Sequence, residues 1–401
     1  MSIRTKNEDS LDWGQRRGKG FLPSSYDVDE WTTMPMNGTA TKDIDRILII
    51  RLSAIGDVVR TLLAANALRD RFPKAHIGWV LEEKARDVLA CQPEIDETIV
   101  FQRERWKKGI LNPLTFLRTI GEVYRFAKEL RSKHWDIAFD FHGILKSGLI
   151  SYVSGAKDRV GFGRGYCKEW NYLFNNRRMI PGSDRISRFE RNLVLLSYLG
   201  LDGGRRGTDI RVSQEDVDYV DQFFRDRWSP TSGPLVAIHP GTSPKTSYKR
   251  WAPAKYSELA DRLVEELKAS ILFTWGPGER AMVDEVRGRM RGNSVVALET
   301  HSLKQLVEIF RRCNVYVGSD TGPMHIASLV KTPVVGIYGP TDPIVNAPYE
   351  GTPHVIVRKD LPCSPCRNRR CEDVMCMEAI SSQDVLDAVK TLLKMKDGSG
   401  G

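Results

Sequence analysis

The alternation of short branched-aliphatic segments with amphipathic segments of helical length constrains the fold of this 401-residue chain more than any other feature. In the first half, runs that predict buried strands lie at 46–52, 77–81, 98–101 and 136–141. Apolar residues at helical spacing predict helices at 57–72, 114–130 and 145–153. Strands that alternate with helices form a parallel sheet covered by helices on both faces. The first half therefore predicts an open α/β domain.

The second half repeats the scheme. Predicted strands lie at 235–239, 271–275, 295–298, 315–318 and 334–338. Predicted helices lie between them at 255–267, 279–290, 303–311 and 323–329, and a last one spans 384–394. Five strands with four crossovers form a doubly wound unit. We predict a poorly ordered extension at 1–43, a first domain at 44–213, and a second domain with a terminal helix and polar tail at 214–401, with a ligand-binding cleft between the domains.

The turn that follows the strand at 315–318 indicates a phosphate site. Asp320, Thr321 and Gly322 lie between the end of this strand and a helix that opens at Pro323, a residue favoured in the first helical turn. The carboxyl end of a strand and the positive end of a helix meet there, and phosphate-bearing ligands bind at such places in open α/β sheets. The alternative is an ordinary turn in which Asp320 or Thr321 caps the helix.

The charge balance points to anionic partners. Lysine and arginine number 60 against 51 acidic residues, a net charge of +9, which suits nucleic acid, acidic lipid headgroups or phosphorylated sugars. No nucleic-acid-binding motif is recognisable, so nucleic acid is not expected. The densest cationic cluster comprises Arg103, Arg105, Lys107 and Lys108, which is either a solvated loop or an anion-binding surface. No apolar run is long enough to cross a bilayer, and the first 43 residues lack the apolar region of a secretory signal.

The turn after the first strand, Leu52-Ser-Ala-Ile-Gly-Asp57, contains one glycine. A dinucleotide fingerprint needs three, so the turn disfavours a nicotinamide cofactor. Asp57 lies at the start of a helix that faces the predicted cleft. Its carboxylate is either a helix cap or a general base that accepts a proton from a sugar hydroxyl.

Seven cysteines are unevenly placed, and no chain-wide disulfide framework is visible, which suits a reducing compartment. Four of them form the pattern Cys363-x2-Cys366-x4-Cys371-x4-Cys376. Such a cluster is a candidate structural zinc or iron–sulfur site, with paired disulfides or simple packing as alternatives. We expect it to lie away from the cleft, and we expect the reaction to require no cofactor.

Six segments resemble glycosyltransferase family 9, the heptosyltransferases that build the inner core of lipopolysaccharide. They are RILIIRLSAIGDVVRTLLAANALRDRFP, DFHGILKS, HPGTSPKTSYKRW, GPGE, SDTGPMHIA and TPVVGIYGPTDP, and they occur in the family's order from Arg46 onward. The resemblance implies the glycosyltransferase type B fold, in which two Rossmann-like domains with parallel sheets face a central cleft. It also implies an inverting transfer of heptose from ADP-L-glycero-D-manno-heptose, held by the second domain, to an acceptor on the first. That acceptor is Kdo-lipid A or an already heptosylated core.

The resemblance further assigns roles to individual residues. Asp57 matches the family's catalytic base, and Lys249 matches the lysine that contacts the donor diphosphate. The remaining donor-side matches are Thr242, Ser243, Glu279, Asp320, Thr321, Gly322 and His325. The basic acceptor patch resembles Arg103, Arg105, Lys107 and Lys108, joined by Lys146.

The resemblance also predicts a location and leaves two alternatives open. It predicts an enzyme at the cytoplasmic face of the inner membrane, held peripherally to the anionic surface by basic residues. The alternatives are a nucleotide-sugar epimerase of the same fold and a non-catalytic nucleotide-sugar-binding protein. The oligomeric state is left open.

Overall fold

A computed structural model describes residues 44–201, 210–228, 232–297, 299–366 and 368–397, and it contains two parallel sheets of six strands each. The extension at 1–43 and the polar tail after Asp397, both predicted above, lie outside the described residues. Each sheet with its helices forms one domain, and we call them the first and second domains.

The first sheet has the strand order β3-β2-β1-β4-β5-β6. Its strands are β1 (Arg46–Ile50), β2 (His76–Leu81), β3 (Glu97–Val100), β4 (Ile137–Asp140), β5 (Asp158–Phe162) and β6 (Arg177–Met179). The accompanying helices are α1 (Ile55–Arg71), α2 (Arg86–Leu89), α3 (Arg103–Leu111), α4 (Phe116–Ser132), α5 (Leu145–Val153) and α6 (Arg188–Leu196).

The second sheet has the order β12-β11-β10-β7-β8-β9. Its strands are β7 (Leu235–His239), β8 (Ser270–Phe273), β9 (Val295–Val296), β10 (Val315–Ser319), β11 (Val334–Ile337) and β12 (His354–Val357). Its helices are α7 (Gln214–Arg227), α8 (Pro253–Leu267), α9 (Arg280–Arg289), α10 (Leu303–Arg311), α11 (Gly322–Leu329), α12 (Met375–Glu378) and α13 (Ser382–Asp397). Counted from its first strand, each sheet has the order 3-2-1-4-5-6, the doubly wound arrangement.

Strand β1 shows how the sequence builds these layers. Its residues alternate between the two faces of the sheet, so Ile47 and Ile49 join the cluster around α1 while Leu48 joins the cluster beneath α4 and α5. All three side chains are fully buried. A strand buried on both faces must be apolar along its length, which explains why the run RILII was recognisable in the sequence.

The sequence predicted the edge strands β3 and β9, but it did not reveal the opposite side of either sheet. Strands β5, β6 and β12 were missed: DRVGF and RRM carry charges, and HVIV is four residues long. Helix α7 lies in the stretch 200–233 that was read only as a boundary, and it packs against α10 of the second domain. The basic cluster at 103–108, for which a loop was one interpretation, is the start of α3.

Candidate active site

Four turns converge where the strand order of each sheet reverses. In the first domain these turns follow β1 and β4, and in the second domain they follow β7 and β10. Ligands of open α/β sheets bind at such switch points, outside the carboxyl ends of the strands. The two domains touch at this place: α1 packs against α11, and a Cβ atom added to Gly56 would lie 3.4 Å from the Cα atom of Gly322.

Asp57 lies at the start of α1, and its carboxylate is surrounded by guanidinium groups. Oδ2 is 2.5 Å from Nη2 of Arg51, and Oδ1 is 2.7 Å from Nη1 of Arg60 and 3.5 Å from Nη1 of Arg188. The N-cap position of α1 is occupied by Ala54, and Asp57 lies within the first turn of the helix. The structure therefore does not use Asp57 as a helix cap, which was the alternative to a catalytic role.

These charges determine the ionisation of Asp57. Burial alone would raise its pKa, but the positive charges of Arg51, Arg60 and Arg188 outweigh burial and hold the pKa well below its usual range. The carboxylate is consequently ionised at neutral pH and has lone pairs available to accept a proton. Its basicity depends on how strongly the three arginines remain engaged with it.

His142, in the turn after β4, is a neutral hydrogen-bond donor beside this carboxylate. Burial, reinforced by the charge of Arg51, lowers the pKa of His142 to about 4. The backbone N–H of Leu52 donates to Nδ1 of His142 at 3.1 Å, which leaves the proton of the neutral ring on Nε2. Sequence reasoning quoted the surrounding motif without assigning this residue a role.

Asp57 and His142 line a cavity of about 660 Å³ between the domains. Three of its carboxylates come from Asp57, Asp184 and Asp342. Six cations line it as well: Arg51, Arg60, Lys168, Arg185, Arg188 and Arg191. The excess of positive charge suits an anionic ligand.

None of these six cations was predicted as a site residue. A signal for two of them did exist, because Ser187 and Glu190 form a capping box that starts α6 and so marks the helix that carries Arg188 and Arg191. That signal could not show that α6 packs against α1 and thereby lies next to Asp57.

On the donor side, Lys249 and Asp320 form a buried ion pair. Nζ of Lys249 is 2.8 Å from Oδ2 of Asp320 and also donates to its backbone carbonyl at 3.2 Å. Burial would raise the pKa of Asp320, but its contact with His325 and the charge of Lys249 hold the pKa well below its usual range. Asp320 thus fixes the lysine at the N-terminus of α11 instead of capping the helix. Thr321 makes no side-chain cap either.

His325 is buried against this pair, with Nε2 3.4 Å from Oδ1 of Asp320. Burial and the charge of Arg60 lower the pKa of His325 to about 4. The ring is therefore neutral at physiological pH, and its contact with Asp320 is not a full ion pair. Arg60 couples the two halves of the site electrostatically. It pairs with Asp57 in the first domain, and its charge helps to lower the pKa of His325 in the second domain.

The loop after β7 holds the two predicted donor hydroxyls in different ways. Thr242 is buried, and Arg250 donates from Nε to its Oγ1 and from Nη2 to its carbonyl oxygen, both at 2.9 Å. Ser243 is exposed, and its Oγ lies 2.9 Å from Oγ1 of Thr246. Arg250 is therefore the residue that shapes this loop, a role that the sequence did not indicate.

Glu279 closes the other side of the donor half. Its Oε2 lies 3.2 Å from Nε2 of His239 and accepts the backbone N–H of Gly276 at 2.9 Å. Burial raises its pKa, but the contact with His239 prevails and lowers it overall. A Cβ atom on Gly241 would lie 2.3 Å from the same Oε2, so a larger residue at this position would displace the Glu279 side chain. Glu279, Gly241 and Arg250 also line a second cavity of about 450 Å³.

The predicted acceptor patch lies beside the cleft cavity, and none of its five members lines that cavity. Arg103 and Lys146 are close enough to His142 to help lower its pKa. Arg103 pairs with Glu82 at 3.2 Å, and Arg105 pairs with Glu122 at 2.6 Å. Lys107 and Lys108 are exposed on the same helix.

The four clustered cysteines are free thiols, and Cys376 is close enough to Cys363, Cys366 and Cys371 to feel their charge. Within the described ranges, no group of three or more histidine, cysteine or acidic side chains is arranged to hold a metal ion. The metal prediction gains no support from this geometry. The expected position was wrong, because Pro365 and Cys366 line the cleft cavity. The backbone N–H of Cys366 donates to Pro340, in the loop after β11, and this contact draws the segment into the cleft.

The model of glycosyltransferase family 9 (heptosyltransferase) matches residues 123–375. This chain belongs to glycosyltransferase family 9. The matched segment contains Lys249, Glu279 and Asp320, and Asp57 precedes it. The family 9 chain is accordingly a glycosyltransferase, and its two facing domains have the type B fold.

Among curated relatives, the chain is 28% identical to lipopolysaccharide heptosyltransferase 1 of Pseudomonas aeruginosa over 329 residues, covering 81% of this chain and 87% of that protein. Among solved structures, a family 9 glycosyltransferase from Veillonella parvula superimposes with a TM-score of 0.73 at 23% identity, covering 88% of this chain and 98% of that one. The E. coli heptosyltransferase WaaC with ADP-2-deoxy-2-fluoro heptose gives a TM-score of 0.63 at 21% identity, covering 88% and 99% of the two chains.

Proposed function

We propose that this glycosyltransferase moves heptose from ADP-L-glycero-D-manno-heptose to the inner core of lipopolysaccharide, with inversion at the anomeric carbon. The curated relative from Pseudomonas aeruginosa is a lipopolysaccharide heptosyltransferase, and the E. coli neighbour was solved with an ADP-heptose analogue. Both share most of their length with this chain. The proposal assigns the donor to the second domain and the acceptor to the first.

The observation that carries the proposal is the position of Asp57. Its carboxylate lines the cleft cavity on the first domain, and the neighbouring Gly56 touches Gly322 in the donor turn of the second domain. A base that takes the proton of an attacking hydroxyl must stand within hydrogen-bond reach of that hydroxyl, beside the sugar it attacks. Asp57 is the ionised carboxylate that meets the donor turn across the cleft.

The reaction can then be written as one displacement. The acceptor oxygen forms a bond to the anomeric carbon while the bond from that carbon to the β-phosphate oxygen breaks, and ADP leaves with the electron pair. Asp57 accepts the acceptor's proton. Positive charge develops on the sugar ring as in glycoside hydrolysis. Lys249 and the backbone N–H groups at the start of α11 stabilise the charge on the departing diphosphate. The direct displacement requires no metal.

The remaining donor contacts follow from the same pose. Glu279 lies at the second cavity, where its carboxylate accepts hydrogen bonds from ribose hydroxyls. Thr242 and Ser243 lie on the loop between this cavity and Lys249, where they contact phosphate oxygens. Thr321, Gly322 and His325 shape the turn around the diphosphate.

The acceptor side explains the excess of arginine. Kdo carries a carboxylate and the inner core carries phosphates, and guanidinium groups bind both bidentately. We place these anions against Arg188, Arg191 and Lys168 in the cleft, with Arg103, Arg105, Lys107, Lys108 and Lys146 at its edge. An acceptor anion that engages Arg188 weakens that residue's hold on Asp57, and the base becomes stronger when the acceptor is bound.

The deciding experiment is a transfer assay with ADP-heptose and a deacylated, water-soluble Kdo acceptor, comparing the wild type with Asp57→Asn. Loss of a general base lowers kcat by about 10²- to 10⁴-fold. ADP affinity, measured by calorimetry, should change little because the donor groups are intact. Asp96→Asn is the matched control, since Asp96 pairs with Arg69 at 2.5 Å but directly precedes the edge strand β3, whereas the cleft turns follow the carboxyl ends of their strands.

Three outcomes contradict the proposal. Donor conversion without any acceptor indicates an epimerase. ADP binding without transfer by the wild type indicates a non-catalytic binding protein. Full activity of Asp57→Asn, with Asp96→Asn also active, removes Asp57 from the mechanism while leaving the activity itself in place.

The proposed location is the cytoplasmic face of the inner membrane, where the lipid-linked acceptor is made. No helix in the described ranges is both long and apolar enough to cross a bilayer. We propose peripheral attachment on the basis of the cationic residues of the first domain, which suit an anionic membrane surface.

A further inference from the structure

The exposed large apolar side chains of this protein are concentrated on one surface. In the described ranges sixteen such residues are exposed, and twelve of them lie between Ile110 and Leu173. The other four, Ile180, Ile344, Met375 and Met395, are scattered. Single exposed apolar residues need no explanation, but a contiguous group marks a contact surface.

Helix α4 forms the centre of this surface. Leu117, Ile120 and Tyr124 follow the i, i+3, i+7 spacing of one helix face and are 81%, 46% and 67% exposed. The buried face is formed elsewhere on the helix, where Thr119 lies against Gly109 of α3 and Leu130 joins the core cluster that contains strand β1. Helix α4 is thus apolar on two faces, and only one of them is covered.

Neighbouring elements extend the same surface. Leu111, the last residue of α3, and Leu114, in the connection to α4, are 75% and 94% exposed. Helices α3 and α5 both pack beside α4, and α5 contributes exposed Leu149 and Tyr152. The segment beside α5 adds Trp170. We call this set, from Ile110 to Trp170, the apolar surface of the first domain.

Cations surround and interrupt the apolar surface. The segment from Arg103 to Ser132 carries eight lysines and arginines against three glutamates. Lys107, Lys108, Arg125 and Lys128 are exposed there. Helices that lie in the interface of an anionic bilayer typically combine exposed apolar residues such as leucine and tyrosine with lysine and arginine.

We infer that the apolar surface of the first domain binds an anionic phospholipid bilayer, with its apolar side chains in the acyl–headgroup boundary and its cations against lipid phosphates. Charge complementarity selects this occupant. A second copy of the chain in a symmetric dimer would bring the exposed cations Lys107, Lys108, Arg125 and Lys128 near the same cations of its partner, and like charges repel at close range. An anionic membrane offers acyl chains to the apolar residues and negatively charged headgroups to the cations.

The apolar surface lies next to the cleft, and this position suggests how a lipid-linked acceptor reaches the active site. This part of the inference rests on the proposed function. Leu145, at its edge, directly follows Ile144, which lines the cleft cavity, and Trp170 lies two residues after Lys168, which also lines it. When this surface contacts a membrane, the mouth of the cleft therefore lies next to the bilayer. An acceptor whose lipid stays in the bilayer could place its sugars beside Asp57 without leaving the membrane.

The test is flotation of the full chain with vesicles of phosphatidylethanolamine and phosphatidylglycerol, compared with pure phosphatidylcholine. The triple variant Leu117→Ser, Ile120→Ser, Tyr124→Ser keeps the charge and removes the centre of the surface. We expect its partition onto anionic vesicles to fall by about tenfold or more. We expect wild-type binding to weaken with added salt and to be weak on phosphatidylcholine.

Single variants provide the matched control. Leu117→Ser should measurably reduce binding, and Met395→Ser, which removes a 56% exposed apolar side chain from the second domain, should not. Activity on the water-soluble acceptor should be unchanged in all three variants, which shows that they fold. If the wild type transfers nothing, the proposed function fails while the vesicle result stands by itself.

Two results would overturn the inference. One is vesicle binding by the triple variant equal to that of the wild type. The other is a wild-type dimer in sedimentation velocity that binds no vesicles and that the triple variant converts to monomer, because the surface would then be covered by a second copy.

Discussion

Replacing Lys249 by methionine separates the structural and the catalytic parts of the donor site. Methionine keeps much of the side-chain volume and removes the charge. Asp320 then loses its ion-pair partner while it stays buried, because its side chain is only 5% exposed and that of Lys249 is 15% exposed. The substitution therefore leaves a buried carboxylate beside the neutral ring of His325, without a positive charge paired to it.

The expected destabilisation is large. Removing one partner of a buried pair costs about 3 to 5 kcal/mol in free energy of unfolding, and much of this is the desolvation of the remaining charge. For a domain of this size the melting temperature falls by roughly 2 to 4 °C per kcal/mol, so a drop of at least about 6 °C is expected. The double variant Lys249→Met, Asp320→Asn removes both charges and should recover most of this loss.

The pH dependence has a definite sign. In the wild type the folded pKa of Asp320 lies below its unfolded value, so its stabilising contribution is complete at neutral pH and is lost only as the pH falls through the folded pKa. Without Lys249, burial of the carboxylate is no longer offset by the lysine, which drives its pKa upward. The folded variant therefore retains this proton to a higher pH than the folded wild type, so the stability deficit of Lys249→Met should be smaller at acidic pH than at neutral pH.

The assay combines thermal melting at several pH values with calorimetric titration of ADP. Losing the contact between Lys249 and the diphosphate should weaken ADP binding by about tenfold or more, as expected for a charged hydrogen bond. The matched control is Lys304→Met, since Lys304 lies 3.4 Å from Asp216 with similar burial, at 10% and 9% exposure, and lines neither cavity described above. Lys304→Met should destabilise the protein and leave its affinity for ADP unchanged. Unchanged ADP affinity in Lys249→Met, or no recovery in the double variant, would refute this reasoning.

Two further predictions concern Gly241 and His142, which lie in the turns after β7 and β4. Gly241→Ala should weaken ADP binding by about tenfold or more with little loss of secondary structure. The reason is that the new methyl group would meet Glu279 at 2.3 Å and displace it. An ADP affinity equal to that of the wild type would contradict this prediction, because it would show that the loop adapts. His142→Asn should keep more transfer activity than His142→Ala, because the amide oxygen can still accept a hydrogen bond from the Leu52 N–H. The wild-type transfer rate should show no titration of the His142 ring between pH 5.5 and 8, since its pKa is about 4.

The sequence by itself determined the buried strands and the turns that follow them. Strands such as β1 and β10 are covered on both faces, so their residues must be apolar, and the pattern is visible without a structure. The glycines and aspartates after these strands mark the places where parallel strands deliver ligand contacts. For this reason Asp57 and Asp320 could be selected as candidates before their positions were known, and the family resemblance added Lys249 and Glu279.

Only the tertiary structure decided what these residues touch. Arg51 and Arg188 are 137 positions apart in the chain, yet both contact Asp57, because α6 packs against α1. The loop that contains Cys366 was expected elsewhere and reaches the cleft through a backbone contact to Pro340. The second apolar face of α4 looked like ordinary amphipathic periodicity, and only the packing shows which face the sheet leaves open. Local patterns record whether a residue will be buried, whereas the partner of a charge and the exposure of a face depend on elements that are distant in the sequence.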